Sequence, residues 1–436
     1  MSLESAVLAR LAPWRNAPLW RVAFSGGLDS SVLLHVLAKA ARHHELPPIR
    51  AVHVHHGLQA AAEQWPAHCQ HFCDEWGIAL AIEPVQVAPG ASLERAAREA
   101  RYAAFASLMV PGEVLLLAQH QDDQAETLLY RLLRGAGVRG LGAMAHSRRL
   151  GHGHAVRPLL DVPRKVLENY AASQGLRWVE DPSNSDSGFA RNFLRQDILP
   201  RLAAHWPAAS TVLARAAAHQ AEAQELLEDL AALDLQRCHG QLGIAWLTIP
   251  CLDLPALRQL SEARQRNVLR HWLGTETRLP DSRHWQGWTD LRDAALDGAP
   301  VWRLESGELR RHGDQLLWLG TAWRAPWSNH EQPWPQVHQP LELPGNGVVE
   351  FAGRLPDGRL SIGYRQGGEV LNVPGRGRRD LKRLLQEAGV PEFIRPRLPL
   401  LRRDGQIVAV ANLPLDPAIG ELRWQFSSVV QPVAQG

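Results

Sequence analysis

The chain has 436 residues and a formal net charge of only +2, so bulk charge announces neither a nucleic-acid coat nor an acidic tail. Its 45% hydrophobic and 21% charged content is that of a globular protein, and its length exceeds one typical domain. It has no run of about eighteen apolar residues and no long apolar N-terminal stretch, so no membrane association is expected and a cytoplasmic location is the default.

The first element in chain order that carries chemistry is the apolar run Leu19 to Phe24, broken only by Arg21. It is followed by Ser25-Gly26-Gly27-Leu28-Asp29-Ser30 and then by helical apolar spacing through Leu37. Strand, glycine turn and helix in this order gather free backbone N–H groups and a positive helix end at one point, which suits an anion. Two adjacent glycines let the backbone approach a phosphate closely. Ser25 and Ser30 add hydroxyls, and the Asp29 carboxylate suits a Mg²⁺ beside the phosphates. The loop is not a Walker motif, because none of the three lysines, Lys39, Lys165 and Lys382, follows a glycine. It resembles the PP-loop of ATP pyrophosphatases. That resemblance implies that Ser25, Gly26, Gly27, Leu28, Asp29 and Ser30 bind ATP while a substrate oxygen attacks its α-phosphate.

Strands are expected at Arg21–Phe24, Ile49–Val54, Ala79–Val87 and Val114–Ala118. Helices are expected between them, at Ser30–His43, Ala60–Trp76 and Leu93–Leu108. This alternation predicts an α/β domain with a parallel sheet covered by helices, whose ligands sit at the carboxyl ends of the strands. Three segments fall there: the PP-loop, His53-Val54-His55-His56-Gly57, and Gln119-His120-Gln121-Asp122-Asp123. Within the helix expected at Ala60–Trp76, Cys69 and Cys73 stand beside His68 and His71, but no second pair at ligand spacing follows, so they read as packing. With Cys238 and Cys251 they form neither a C-x-x-C pair nor a disulfide framework.

Asp123 and Glu126 are three apart on a helix and share a face, where they suit a cationic substrate group or Mg²⁺. Asp122 reads as a helix-start acid. Gly135, Gly137 and Gly140 form a G-x-G-x-x-G, but it follows a helix rather than a strand, so it reads as a helix end and loop. Asp181-Pro182-Ser183-Asn184 and Arg191-Asn192-Phe193-Leu194-Arg195 add a loop and a basic helix start, with Arg191 suited to phosphate or carboxylate. Arg98 and Arg101 are a turn apart and either face the site or pair on the surface.

Beyond this region, helices are expected at Ala208–Arg237, Leu257–Leu273 and Trp285–Leu296, and 326–340 reads as a linker. The tail has short strands such as Ile407–Ala411 and one helix, Arg379–Ala388. The expected organisation is therefore a catalytic domain over 1–207, a mainly helical domain over 208–325, and a small α+β domain over 341–436. Between Arg354 and Arg403 there are twelve basic and five acidic residues. The densest part, Arg376, Arg378, Arg379, Lys382 and Arg383, suits a phosphate backbone.

The motifs SGGLDS, HVHHGL (53–58), QHQDDQAET (119–127), RLLRGAGVRGLGAM (131–144), RPLL (157–160) and DPSNSDSGFARNFLR (181–195) together resemble the tRNA(Ile)-lysidine synthase family. The tail segments GRGRRDLKRLLQEAGVP (375–391) and PLLRRDGQIVAV (399–410) are similar to the C-terminal domain of its long form. The resemblance implies ATP-dependent, Mg²⁺-assisted ligation of L-lysine to the wobble cytidine of a tRNA(Ile) with a CAU anticodon. It further implies catalytic roles for Asp29, Asp123, Glu126 and Arg191. The last three would bind lysine, and Arg376, Arg378, Arg379, Lys382 and Arg383 would bind tRNA. Gln119 departs from the His that many PP-loop enzymes carry, with His120 beside it. The rival reading is a tRNA thiolase, which would need cysteines near the site. A homodimer is left open.

Overall fold

A computed structural model describes residues 2–55, 57, 63–87, 93–182, 190–278, 282–295, 298, 300–354, 358–416 and 418–426. His56, Leu58, residues 60–62 and residues 183–189 of the motifs and expected elements lie outside this set, as does Leu296. The chain divides into two compact units, Met1–Leu226 and Leu227–Gly436.

The first unit opens with helix α1 (Leu3–Leu11), whose first turn is capped by Ser2 Oγ accepting from the Ser5 amide at 3.1 Å. Strands β1 (Trp20–Ala23), β2 (Ile49–His55), β3 (Ala79–Pro84) and β4 (Val114–Leu116) follow, alternating with α2 (Leu28–Ala40), α3 (Trp65–Trp76) and α4 (Leu93–Leu108). After β4 come α5 (Gln121–Leu132), the short α6 (Val138–Leu141) and a hairpin of β5 (Ser147–Leu150) and β6 (Gly153–Val156). The sheet order is β3-β2-β1-β4-β6-β5. All neighbours are parallel except β5, which runs antiparallel at the edge. β1 and β4 are central strands and are largely buried, as a sheet covered on both faces requires, and the one charge in β1, Arg21, is paired with buried Glu113 at 3.0 Å. The β5–β6 hairpin was not expected, because Ser147-Arg148-Arg149 carries no strand pattern of its own and is held by its pairing with β6. The chain order reverses between β1 and β4, and that reversal opens a crevice at their carboxyl ends.

Helix α7 (Arg164–Ser173) packs on α2, and α8 (Ala190–Phe193), a π-helical turn (Leu194–Ile198) and α9 (Leu199–His205) lead to the long α10 (Ala209–Arg237). The division between the two units falls inside α10.

In the second unit, α11 (Leu254–Arg258), α12 (Glu262–Leu273) and α13 (Gln286–Asp293) accompany an antiparallel sheet that the helical expectation for this region lacked. Its strands are β7 (Cys251–Asp253), β8 (Val301–Leu304), β9 (Gly307–His312) and β10 (Gln315–Gly320), in the order β7-β10-β9-β8. The expected helix Leu257–Leu273 is two helices, because Ser261 caps α12 through the Arg264 amide. The short α14 (Thr321–Arg324) follows β10.

Residues 326–340 are not a free linker. Trp334 is 1% exposed and packs with Val337, Leu317, Leu319 and Leu400 in one core, so their Trp and Pro content reflects packing. The rest comprises β11 (Gln332–Pro333), β12 (Leu341–Glu342), β13 (Val348–Gly353), β14 (Leu360–Gly363), the hairpin β15 (Val370–Val373) and β16 (Gly377–Asp380), α15 (Leu381–Glu387), β17 (Leu400–Arg403), β18 (Gln406–Val410) and β19 (Gly420–Gln425). These strands form sheets β11-β14-β17-β18 and β12-β13-β19 beside the β15–β16 hairpin.

Candidate active site

The PP-loop occupies the turn from β1 to α2. Gly26 has φ +81°, which a side chain resists, and a Cβ there would lie 3.0 Å from Val179 Cγ2 and 3.1 Å from Cys69 Sγ. The loop is fastened to the chain beyond α7 by the Val179 amide, which donates to the Gly26 carbonyl at 2.9 Å. Inside the loop, the Ser25 amide and hydroxyl reach Ser30 Oγ at 3.2 and 3.1 Å, and the Gly27 amide donates to Ser25 Oγ at 3.3 Å. Leu28, Asp29 and Ser30 begin α2, so their amides have no preceding helical turn to bond and point outward for an anion.

Asp29 lies in the first turn of α2, and burial pushes its carboxyl above the usual range despite the opposing charges of His120 and Arg164. Its Oδ2 is 3.6 Å from His120 Nε2, while its Oδ1 is buried without a hydrogen-bond partner. A single orphaned carboxylate oxygen beside two serine hydroxyls and free amides fits a Mg²⁺ that is shared with phosphates, since this ion keeps few protein ligands. Among the described residues no group of three or more acidic, His or Cys side chains forms a complete metal cage.

His120 connects the loop to the carboxylates of α5. It is buried, its Nε2 is 3.5 Å from Asp123 Oδ2, and its backbone amide donates to that same oxygen at 3.0 Å. Asp122 does something else: its Oδ2 accepts from the Arg164 amide at 2.8 Å and so caps α7.

Asp123 and Glu126 do share one face, and both are covered by guanidinium groups. Arg191 donates to Glu126 Oε2 at 2.8 Å and to Asp123 Oδ1 at 3.0 Å. Arg195 donates to Glu126 Oε1 at 2.6 Å and Oε2 at 3.0 Å, and to Asp123 Oδ1 at 3.0 Å. The acids lie beneath, with the Glu126 side chain 1% exposed, and the arginines lie above, at 32% and 29%. Burial acts to raise the Asp123 carboxyl, but His120, Arg191 and Arg195 outweigh it and hold it low. Burial likewise acts against the Arg195 charge, and Glu126, Asp123 and Asp29 together raise it.

Arg195 is thus a member of this cluster that sequence reasoning left without a role. Its signal was its position, four residues after Arg191, in a segment where the π-helical turn re-aims side chains. His120 carries the imidazole of the crevice, while Gln119 turns away and accepts from Arg157 Nε at 3.1 Å. Arg98 lies over the Tyr102 ring, and Arg101 sits in the field of Asp181. The G-x-G-x-x-G is a helix end: Gly135 has φ +74°, and Arg131 donates to the carbonyls of Gly140 and Ala143.

Models of a PP-loop domain, a TilS substrate-binding domain and a TilS C-terminal domain match residues 3–202, 252–317 and 360–425. A tRNA(Ile)-lysidine synthase from Pseudomonas aeruginosa is 58% identical over 98% of this chain and 96% of its own. The chain is an enzyme of the tRNA(Ile)-lysidine synthase family. Family members from Alkalilimnicola ehrlichii and Escherichia coli O157:H7 are 43% and 41% identical, over 94% and 90% of this chain and 93% and 91% of theirs.

In this family member the basic tail cluster lies on β16 and α15. Arg376 pairs with Glu387 at 2.6 Å and Arg383 approaches it at 3.5 Å. Arg378, Arg379 and Lys382 are exposed and form no ion pair among the described residues. All four cysteines are buried, and burial pushes the thiols of Cys69 and Cys73 up to about 12. Among the described residues no helix is long and apolar enough to cross a membrane.

Proposed function

We propose that this enzyme joins L-lysine to the wobble cytidine of a tRNA(Ile) with a CAU anticodon, changing its codon and amino-acid specificity from methionine to isoleucine. The reading is carried by one observation: His120 lies within 3.6 Å of both Asp29, in the ATP loop, and Asp123, in the carboxylate cluster. ATP chemistry and amine chemistry therefore have adjoining seats.

In the first step the cytosine C2 oxygen attacks the α-phosphate, forming an O–P bond as pyrophosphate leaves. Ser25, Gly26, Gly27, Leu28 and Ser30 hold the phosphates through amides and hydroxyls, and Asp29 offers its orphaned oxygen to Mg²⁺. That ion would neutralise phosphate charge. In the second step the lysine ε-amine attacks C2, a C–N bond forms, and the C2–O bond breaks to release AMP. Only a neutral amine attacks, so Asp123 and Glu126 hold the ammonium and accept its proton.

All four of their oxygens are engaged in this structure by Arg191, Arg195 and the His120 amide. Arg191 turning toward the lysine carboxylate would vacate places on both acids for the ammonium, an exchange that conserves charge. Buried, protonated thiols do not suit the sulfur transfer of a thiolase.

The deciding measurement is incubation with ATP, labelled lysine and total tRNA. Label should appear in one isoleucine tRNA, with one pyrophosphate and one AMP formed per lysine. Asp29→Ala or Ser30→Ala should abolish tRNA-dependent pyrophosphate release in a folded protein. Turnover near the wild-type rate in either variant would overturn the ATP-site assignment.

A further inference from the structure

A buried charge without an ion-pair partner among the described residues lies outside the carboxylate–arginine cluster. Arg157 is 3% exposed and forms no ion pair among the described residues. Neutral acceptors hold it: Nε donates to Gln119 Oε1 at 3.1 Å and Nη1 donates to the Ala145 carbonyl at 2.7 Å, while the Tyr102 phenol is close enough to act on its charge. A buried guanidinium without a counter-charge is expensive, and such positions call for an anion from elsewhere.

Two more guanidiniums attend the same tyrosine. Arg148 lies 4.4 Å and Arg98 5.1 Å from the Tyr102 ring centroid, and both are exposed without an ion-pair partner among the described residues. The positive field is felt by its own members. Burial, and then the charges of Arg148 and Arg98, push the Arg157 guanidinium down, although Tyr102 acts the other way. Burial acts to raise the Tyr102 phenol, yet Arg98, Arg157 and Arg148 together bring it down.

The position of this group in the sheet separates it from the ATP loop. Tyr102 and Arg98 are on α4, Arg148 is in β5, and Arg157 follows β6 directly. Ser147 pairs with Val156, so Arg148 and Arg157 lie at the edge of the sheet where β1 ends in the PP-loop. Strand β6 is two places from β1 and β5 is three, which is about 10 and 14 Å along that edge. Charge on an edge strand guards against edge pairing and accounts for Arg149, but it does not account for buried Arg157.

We propose that Arg98, Arg148 and Arg157, arranged around Tyr102, form a seat for a backbone phosphate of the RNA substrate, distinct from the loop that holds ATP. Gln119 has a role in this site: a neutral acceptor orients Arg157 while leaving its charge for the ligand, where a carboxylate would cancel it. The inference rests on the tRNA reading given above.

The test is equilibrium binding of a tRNA(Ile) transcript across a salt titration, with nucleotide binding measured alongside. Arg98→Ala combined with Arg148→Ala should reduce the log–log salt slope by about one unit, for the one phosphate no longer neutralised, and weaken binding roughly tenfold near 0.1 M salt. Arg148→Glu should weaken it further, and Arg148→Lys should keep most of the affinity. ATP affinity should not change. Unchanged tRNA affinity and slope in the double variant would overturn the site. So would lost ATP affinity with tRNA binding intact, because the arginines would then serve the nucleotide. Wild-type protein that binds no tRNA would instead remove the underlying reading.

Discussion

Arg191 and Arg195 in the crevice differ from Arg378, Arg379 and Lys382 in the tail, although both groups are dense in positive charge. The crevice pair rests on Asp123 and Glu126 and contributes almost no net charge, since two carboxylates balance two guanidiniums. The tail group stands in solvent without an ion pair among the described residues. The first arrangement gains strength from a low local dielectric and fixes geometry. The second projects a field, is screened by salt, and costs the fold nothing to remove. Identical side chains therefore report position in one place and attraction in the other.

The largest expected effect breaks the crevice arrangement. Glu126→Ala leaves two partly buried guanidiniums with a single carboxylate, and it should cost about 3 kcal/mol of unfolding free energy. A denaturant midpoint measured against wild type checks this, and a loss below about 0.5 kcal/mol would mean that the cluster is solvated. Glu126→Gln keeps the shape and should raise the lysine KM or slow transfer more than it slows pyrophosphate release. If pyrophosphate release falls and lysine affinity holds, the carboxylates serve ATP or Mg²⁺. Because the folded-state pKa of Asp123 is lowered, its contribution to stability is present above the unfolded value near 3.8 and is lost as pH falls through the lower folded value. Asp123→Asn should therefore flatten stability against pH below about 4.

Asp29 is expected to behave in the opposite way. Its folded pKa is raised, so folding disfavours its charged form at neutral pH, and the protein is relatively more stable when that carboxyl is protonated. Asp29→Asn should thus abolish pyrophosphate release while raising the melting temperature at pH 7, as happens where a site stores strain for function. A lower melting temperature with the same loss of activity would assign Asp29 a structural role.

Much of this was legible in the sequence because local pattern and global fold agree. Helix Leu93–Leu108 and strand Ile49–His55 follow from periodicity, and SGGLDS falls where strand, turn and helix chemistry require. The β5–β6 hairpin and the sheet of the second unit were missed, because pairing rather than local preference makes Ser147–Leu150 and Gly307–His312 strands. The supposed linker hid a core tryptophan, since composition cannot separate a packed Trp334 from an exposed one. At the site, the spacing of Asp123 and Glu126 showed their common face. The spacing of Arg195, four residues after Arg191, marked a shared helical face but not the acids beneath it, because that contact joins segments 69 or more residues apart.

The tail prediction is next in size. Replacing Arg378, Arg379 and Lys382 by Ala should weaken tRNA binding and reduce its salt slope by about one unit for each phosphate that the variant no longer neutralises. Melting temperature and ATP affinity should stay as in wild type. A triple variant that binds tRNA normally at every salt concentration would remove the tail from the interface.

The smallest expected effect tests whether the tail is uniform. Arg376 differs from its neighbours in making a 2.6 Å ion pair with Glu387, whose carboxyl is held low by that hydrogen bond. Arg383 reaches the same carboxylate at 3.5 Å. The three groups are exposed, so the pair is screened, and each side chain loses rotamer freedom to form it. Arg376→Ala should therefore change stability by less than about 0.5 kcal/mol and reduce the tRNA salt slope less than Arg378→Ala does. Glu387→Gln sharpens the point. It frees Arg376 and Arg383 together, so if the tail attracts RNA through unpaired charge, this variant should bind tRNA more tightly at low salt and lose the gain near 1 M. Weaker binding in Glu387→Gln at low salt would show that the ion pair orders the β16–α15 surface, and the contrast with the crevice arginines would then be one of degree.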